Sequence, residues 1–134
     1  MLTGGCQCDA VRHEVTAAPL RIYVCHRTEC RAQSSSAFGI SVIVPSGAVR
    51  LIRGKPREWS RLTANGQTLV CAFCPDCGGR VWHRNAPQGD DMSIKGGSLD
   101  HPVDLTGAIH IWTQSKLPGV AIPDGALQFS QDHD

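Results

Sequence analysis

The stretch "CPDCGG", residues 74–79, is the segment that decides the predicted fold. Two residues separate Cys74 from Cys77, a spacing typical of paired metal-ligating cysteines. Pro75 and the two glycines favour a tight turn, because glycine tolerates the positive φ angles that such turns demand. A turn of this kind points its backbone N–H groups toward thiolate sulfur. The segment therefore indicates a metal-binding knuckle.

A second cysteine pair lies near the start of the printed sequence, in "GGCQC", residues 4–8. Cys6 and Cys8 supply two more thiolates, and four thiolates suit Zn²⁺ in a closed, tetrahedral structural site. Such a site would join an early hairpin to the middle of the domain and contribute much of the folding free energy. A redox Cys-x-x-Cys pair is the alternative, but it requires a strand–helix–strand context that the surrounding residues lack.

Composition and charge argue against some classes of function. The chain has 134 residues and a formal net charge of +1, with no run of like charges. We predict one domain over residues 1–130, with a frayed tail at 131–134. A near-neutral surface argues against binding to nucleic acid or to a membrane, since both require a concentrated basic face. The longest apolar stretch, residues 37–45, is far shorter than the roughly 20 residues of a membrane span.

The expected cellular compartment and the number of cysteines together indicate what the cysteines do. The N-terminus lacks the basic start and apolar run of a signal peptide, so we expect a cytoplasmic location. Cytoplasmic thiols are kept reduced, and the seven cysteines are an odd number. Both points favour metal ligation over a disulfide framework.

Short apolar or alternating runs separated by turn residues dominate the chain. This pattern predicts an all-β sandwich or barrel-like domain. The predicted strands cover residues 11–15, 20–24, 38–44, 49–54, 68–73, 79–84 and 91–96. One helical turn is predicted at residues 28–33, with Thr28 as its N-cap.

The chain resembles the glutathione-dependent formaldehyde-activating (GFA) family, which includes S-hydroxymethylglutathione synthase and centromere protein V. The resemblance runs from about residue 3 to 129 and rests on an ordered set of motifs. These are "GGCQCDAVRHEV", "CHRTECRAQSSSAFGISVIVP", "CAFCPDCGGRVWH", "IKGGSLD" and "HIWTQSKLPG". The resemblance implies a mainly β, β-tent fold of two antiparallel sheets, stapled by zinc at Cys6, Cys8, Cys74 and Cys77.

The family's second motif, Cys-His-Cys-x-x-Cys around a catalytic zinc, falls on residues 25–30. Cys25 and Cys30 are present, but Arg27 replaces the middle cysteine. A guanidinium stays protonated and offers no lone pair, so a second zinc at Cys25 and Cys30 would be incomplete. Either another side chain completes the set, or the two cysteines are free thiols beside cations, which lower thiol pKa values. The substitutes to consider are Cys71, His26, His83, His101 and His110.

The resemblance implies a carbon–sulfur lyase-type activity, with Cys25 and Cys30 as the catalytic residues. In the family's reaction, glutathione adds to formaldehyde, so the implied partners are glutathione or another small thiol and an aldehyde. The altered second motif favours an alternative, a non-catalytic zinc-stabilised module that binds a thiol ligand or a protein. A B-type methionine sulfoxide reductase is less consistent with the sequence, because no cysteine follows Cys77.

Overall fold

Ten strands and one short helix build the chain in the computed structural model, which describes residues 1–133. The strands are β1 (Leu2–Gly5), β2 (Arg12–Val15), β3 (Arg21–Cys25), β4 (Gly39–Pro45), β5 (Val49–Arg53), β6 (Arg57–Leu62), β7 (Thr68–Phe73), β8 (Arg80–Ala86), β9 (Asp91–Lys95) and β10 (Ile109–Ile111). Helix α1 (Thr28–Ser34) follows β3, and 3-10 turns lie at Ser46–Ala48, Gly96–Ser98 and Thr113–Ser115.

The strands form two sheets. A three-stranded sheet has the order β1-β2-β5, and a seven-stranded sheet has the order β10-β3-β4-β9-β8-β7-β6. All neighbours within the sheets run antiparallel except β10 and β3, which are parallel. The mainly β fold with two sheets is therefore confirmed, with one parallel pair as a departure from the expected antiparallel pattern.

The main core lies between the two sheets and is built largely from β-branched side chains. Val15 of β2 packs against Val42 and Val44 of β4 and Met92 and Ile94 of β9. Such side chains fit a pleated, half-buried surface well, which explains why these runs form strands. Ile94 is inaccessible to solvent and is opposite Val42 on one side and Trp82 on the other.

Helix α1 begins where the sequence indicated, but its capping differs from the prediction. Thr28 is the first helical residue, and Arg27 occupies the N-cap position in extended conformation without a side-chain cap hydrogen bond. Thr28 as N-cap was therefore wrong. The helix ends at Ser34 and is followed by the C-cap residue Ser35, which adopts the left-handed conformation with a φ of 52°.

Three strands were not predicted from the sequence. They are β1, β6 and β10, and each lacks a run of alternating apolar residues. The predicted one-domain organisation over residues 1–130 stays a prediction, as does the frayed tail, whose last residue, 134, lies outside the described residues. No helix among residues 1–133 is long and apolar enough to cross a membrane.

A buried histidine gives the fold a testable pH dependence. His13 of β2 is 1% exposed, and its Nε2 lies 3.1 Å from the Ser98 hydroxyl. Burial lowers the pKa of His13 from 6.5 to about 4. The unfolded chain therefore binds a proton that the folded chain does not, so stability falls as the pH decreases from 6.5 toward 4.

The free energy of unfolding of wild type should decrease from pH 7 to pH 4.5. In His13→Gln we expect this decrease to be smaller by about 2 kcal/mol. Urea unfolding at the two pH values measures this difference. His101→Gln, a change at an exposed histidine, is the matched control and should follow wild type. Equal pH dependence in all three proteins would contradict the assignment of this proton to His13.

Candidate functional site

The two cysteine pairs predicted from spacing come together in space. One ligand atom from each of Cys6, Cys8, Cys74 and Cys77 lies within 4.8 Å of the others. Cys74 follows β7, and Cys6 follows β1, so the cluster joins the end of the large sheet to the start of the small one. The predicted four-cysteine cluster is confirmed as a group that could hold a metal ion.

The sulfur positions fit a tetrahedral metal. The Sγ atoms of Cys6 and Cys8 are 3.7 Å apart, as are those of Cys8 and Cys74. A tetrahedron of sulfurs about 2.3 Å from a central zinc has edges of about 3.8 Å. These two separations therefore match the edges expected of a four-thiolate zinc site, and all four ligand atoms lie within 4.8 Å of one another.

Backbone N–H groups support the cluster, as the knuckle sequence suggested. The Val11 N–H donates to Cys6 Sγ at 3.2 Å, and the Asp76 N–H donates to Cys74 Sγ at 3.4 Å. Gly78 has a φ of 78°, the conformation for which glycine was expected here. Backbone hydrogen bonds from Gly79 and Cys8 lower the pKa of the Cys77 thiol to about 6, favouring the thiolate that binds metal.

A second cluster of polar side chains lies on one face of the seven-stranded sheet. Residues opposite each other on neighbouring strands project from the same face. The pairings Tyr23 with Ser41, Ser41 with Lys95, Ser93 with His83, and His83 with Cys71 therefore define one face, which also carries Cys25. The opposite face carries the apolar core.

Helix α1 packs over this polar face and brings Cys30 close to Cys25. Cys25 is opposite Gly39, and a Cβ atom added to Gly39 would lie 3.3 Å from Cys30 Cβ and 3.5 Å from Lys95 Nζ. Any larger residue at position 39 would therefore push against the helix. Glycine at this position therefore lets α1 approach the sheet closely.

An open cleft of about 530 Å³ lies above this face. Cys25 and Cys30 line it together with Tyr23, His83 and Trp112, and with the two arginines Arg27 and Arg61. Pockets for small ligands typically measure roughly 300 to 1,000 Å³. The cleft is thus large enough for a tripeptide-sized thiol.

The two cleft cysteines influence each other's protonation. The neighbouring Cys25 thiol lowers the pKa of Cys30, and the nearby charges of Lys95 and Arg27 lower it further. The Cys30 sulfur and burial raise the pKa of Cys25. Of the two cysteines, Cys30 is therefore the one whose thiolate form is favoured.

Arg27 is held at the cleft wall by two contacts. Its Nε lies 2.8 Å from Glu29 Oε2, and its guanidinium carbon lies 4.5 Å from the centre of the Trp112 ring. Trp112 adopts a left-handed φ of 56°, and its indole N–H donates to Asp132 at 2.7 Å. Arg27 thus forms part of the cleft wall in the place where the family motif has a cysteine.

Within residues 1–133, no third histidine, cysteine or carboxylate lies close enough to Cys25 and Cys30 to share a metal ion with them. The four-cysteine cluster is the one group of three or more such ligands in this part of the chain. The His26 ring stacks on His110, with Nε2 and Nδ1 3.0 Å apart, and His110 is opposite Val24. Since Val24 and Cys25 face opposite ways, both histidines lie on the other side of the sheet. Two thiols beside the Lys95 side chain do not make up the three-ligand set of a catalytic zinc.

The other substitutes considered from the sequence are placed as follows. His101 is exposed, while His83 and Cys71 lie on the cleft face. Cys71 is 1% exposed, and its sulfur accepts a hydrogen bond of 3.6 Å from the Gln33 side chain. Cys71 is thus near the second cluster, but it does not line the cleft.

Sequence reasoning missed Lys95 and Trp112. Lys95 ends β9, is 6% exposed and has a pKa lowered by burial. The alternation in "DMSIK" places Lys95 on the same strand face as Ser93, and this pattern could have indicated from the sequence that Lys95 lies on a polar face. Nothing in the sequence indicated which residues this face would meet.

Comparison with known proteins agrees with this geometry. The family described as glutathione-dependent formaldehyde-activating enzyme matches residues 1–115. A crystal structure of a Rhodobacter sphaeroides protein is 20% identical and has a TM-score of 0.60, covering 81% of this chain and 98% of that chain. At that identity the likeness concerns the fold alone. Because the family match spans most of the sequence, the chain belongs to the glutathione-dependent formaldehyde-activating enzyme family.

Proposed function

We propose that this protein is a carbon–sulfur lyase-type member of its family that acts on an aldehyde adduct of glutathione or another small thiol. Its family description supplies the two reactant classes, a thiol and formaldehyde. The observation that carries the proposal is the cleft of about 530 Å³ whose floor holds Cys25 and Cys30 side by side. A cytoplasmic location, expected from the cysteine content, stays a prediction.

The metal in this proposal is one structural zinc at Cys6, Cys8, Cys74 and Cys77, which the sulfur separations support. Zinc bound there holds the two sheets together, and the closed four-thiolate set leaves it no open position for a substrate. Cys25 and Cys30 act as thiols in this proposal. A second zinc at these two residues stays a prediction that metal stoichiometry tests.

The reaction joins the thiol sulfur to the carbonyl carbon, and the proton of the thiol ends on the carbonyl oxygen. The pKa of Cys30 is lowered by its neighbours, so we assign to Cys30 the role of accepting the proton of the incoming thiol. The thiolate then attacks the carbonyl carbon, and the proton passes to the oxygen as the carbon–sulfur bond forms. Holding both reactants in the cleft supplies much of the rate gain, since formaldehyde is strongly electrophilic.

Cations at the cleft wall suit the carboxylates of glutathione. Arg27 and Arg61 line the cleft, and both contact Glu29, at 2.8 Å and 3.7 Å. Two other arginines have separate roles. Arg31 donates to the backbone carbonyls of His26 and Ser115, and Arg53 donates to that of Asp9. Arg27 and Arg61 are therefore the arginines that we assign to ligand binding.

The alternative is a non-catalytic module that binds a small thiol in the same cleft. The contacts of Arg27 with Glu29 and Trp112 favour it, because they give this residue a binding role where the family motif has a metal ligand. The two proposals agree on zinc and on the ligand. They differ in whether the bound thiol and aldehyde are converted faster than in buffer.

We expect Cys30→Ser to lower the rate of S-hydroxymethylglutathione formation at least tenfold, because serine does not take up the thiol proton at neutral pH. NMR exchange spectroscopy on zinc-loaded protein with glutathione and formaldehyde measures this rate. Ala32→Ser, an exposed change two residues further along the same helix, is the control and should retain the wild-type rate. Wild-type binding without any acceleration over buffer would refute the enzyme and favour the binding module.

A further inference from the structure

Lys95 lies at the boundary between two cavities. It lines a second cavity of about 470 Å³, together with Phe38, Gly79 and Arg80. Its Nζ lies 3.5 Å from the position of a Cβ built on Gly39, the same position that Cys30 Cβ approaches to 3.3 Å. Cys30 lines the first cavity. The lysine amine is therefore within reach of a small molecule entering from one side and of a thiol bound on the other.

The surroundings of Lys95 are unusual for a lysine. The side chain is 6% exposed, and the acidic groups near it are the thiols of Cys25, Cys30 and Cys71. No carboxylate pairs with it among the ion pairs of residues 1–133. A buried lysine amine that has no carboxylate partner and lines a cavity is the kind of group that forms Schiff bases with carbonyl substrates.

The other two lysines of the chain show the contrast. The Lys116 ammonium donates hydrogen bonds to the carbonyls of Leu117 and Val120, the second at 2.6 Å. Lys55 is exposed to solvent between β5 and β6. Of the three lysines, Lys95 is thus the one that is buried, lies close to cysteines and lines a cavity.

We propose that Lys95 captures the aldehyde as an imine and presents its carbon to the thiol bound beside Cys30. This inference rests on the proposed function, and it adds a covalent step to it. In this step Lys95 activates the carbonyl group, at a site where Cys25 and Cys30 alone do not fit a second zinc.

The step balances as follows. The Lys95 nitrogen lone pair attacks the carbonyl carbon, the carbonyl oxygen takes a proton, and loss of water gives the protonated imine. The thiolate sulfur then adds to the imine carbon, forming the carbon–sulfur bond. Water replaces the amine on that carbon, which releases the hydroxymethyl thioether and frees Lys95. One water is lost and one is consumed, so the sum is addition of the thiol to the aldehyde.

Reductive trapping tests the covalent step. Zinc-loaded protein of residues 1–134 is treated with limiting formaldehyde and cyanoborohydride, and methylation of each lysine is followed by peptide mass spectrometry. We expect Lys95 to be methylated at least tenfold faster than Lys55 and Lys116. Burial alone predicts the reverse order, with Lys55 first, and that order would overturn the proposal.

A substitution separates this inference from the proposed function. Lys95→Arg keeps the positive charge but cannot form an imine, so it should lower the rate of adduct formation at least tenfold while glutathione still binds. Lys55→Arg is the control and should leave both unchanged. Full activity in Lys95→Arg would overturn the imine step and leave the proposed function standing. Absence of acceleration in wild type would instead refute the proposed function, while the trapping order still decides whether Lys95 captures aldehydes.

Discussion

Replacing Cys74 with serine is expected to leave the chain without bound zinc and unfolded at room temperature. Cys74 is inaccessible to solvent and packs with Cys6, Val11, Ala72 and Val81 in a small core cluster next to the knuckle. Structural zinc contributes roughly 10 to 16 kcal/mol to folding in zinc-finger peptides, while whole domains are stable by about 5 to 15 kcal/mol. Loss of the metal thus removes an amount comparable to the whole stability.

Circular dichroism and thermal unfolding of the purified variants measure this effect. Cys71→Ser is the matched control, because it makes the same atom exchange at a buried cysteine of the preceding strand that is not part of the cluster. We expect this control to stay folded with zinc bound. A folded Cys74→Ser variant that melts like the control would show that the four-cysteine cluster does not stabilise the fold.

Gly39→Val is expected to destabilise the protein by about 3 kcal/mol and to abolish thiol binding in the cleft. A Cβ at this position already lies 3.3 Å from Cys30 Cβ and 3.4 Å from the Cys30 carbonyl oxygen, and valine adds two methyl groups there. The backbone carbonyl cannot turn aside as a flexible side chain would, so α1 must move away from β4. This movement separates Cys30 from Cys25 and Lys95.

Urea unfolding and glutathione titration by calorimetry check the two parts of this prediction. Gly47→Val is the control, since Gly47 is exposed and a Cβ there meets no atom within 4 Å. Equal unfolding midpoints for the two variants would contradict the close approach of helix and sheet. Normal glutathione binding by Gly39→Val would contradict the placement of the ligand beside Cys30.

The strands that were predicted correctly contain apolar or alternating runs of at least four residues, and β4 is an example. In β4, the buried Val42 and Val44 alternate with partly exposed residues, so the strand is recognisable from its own residues. In β1, by contrast, Gly4 and Gly5 resemble a turn. Their missing side chains make room for neighbouring backbone, because Cβ atoms there would lie 2.3 Å from the Ser98 carbonyl oxygen and 2.2 Å from that of Val11. Such contacts depend on distant segments and leave no local pattern.

The same distinction applies to the site. The four-cysteine cluster was predictable because the two cysteines of each pair are close in sequence and lie in one turn. A shared metal ion is one of few arrangements that bring four thiols together. The role of Lys95 depends on the pairing of β9 with β4 and on the packing of α1 over Gly39. The local sequence specifies neither of these contacts. Arg27 was recognised as a departure from the motif, but its contacts with Glu29 and Trp112 required the fold.

The central claim is that one zinc ion, held by the four clustered cysteines, supports a cleft in which Cys25 and Cys30 are thiols. Elemental analysis of purified wild type, of the Cys25→Ser/Cys30→Ser double variant and of Cys74→Ser tests it most directly. We expect one zinc per chain in wild type and in the double variant, and none in Cys74→Ser. Two zinc ions per wild-type chain, with one lost in the double variant, would contradict it.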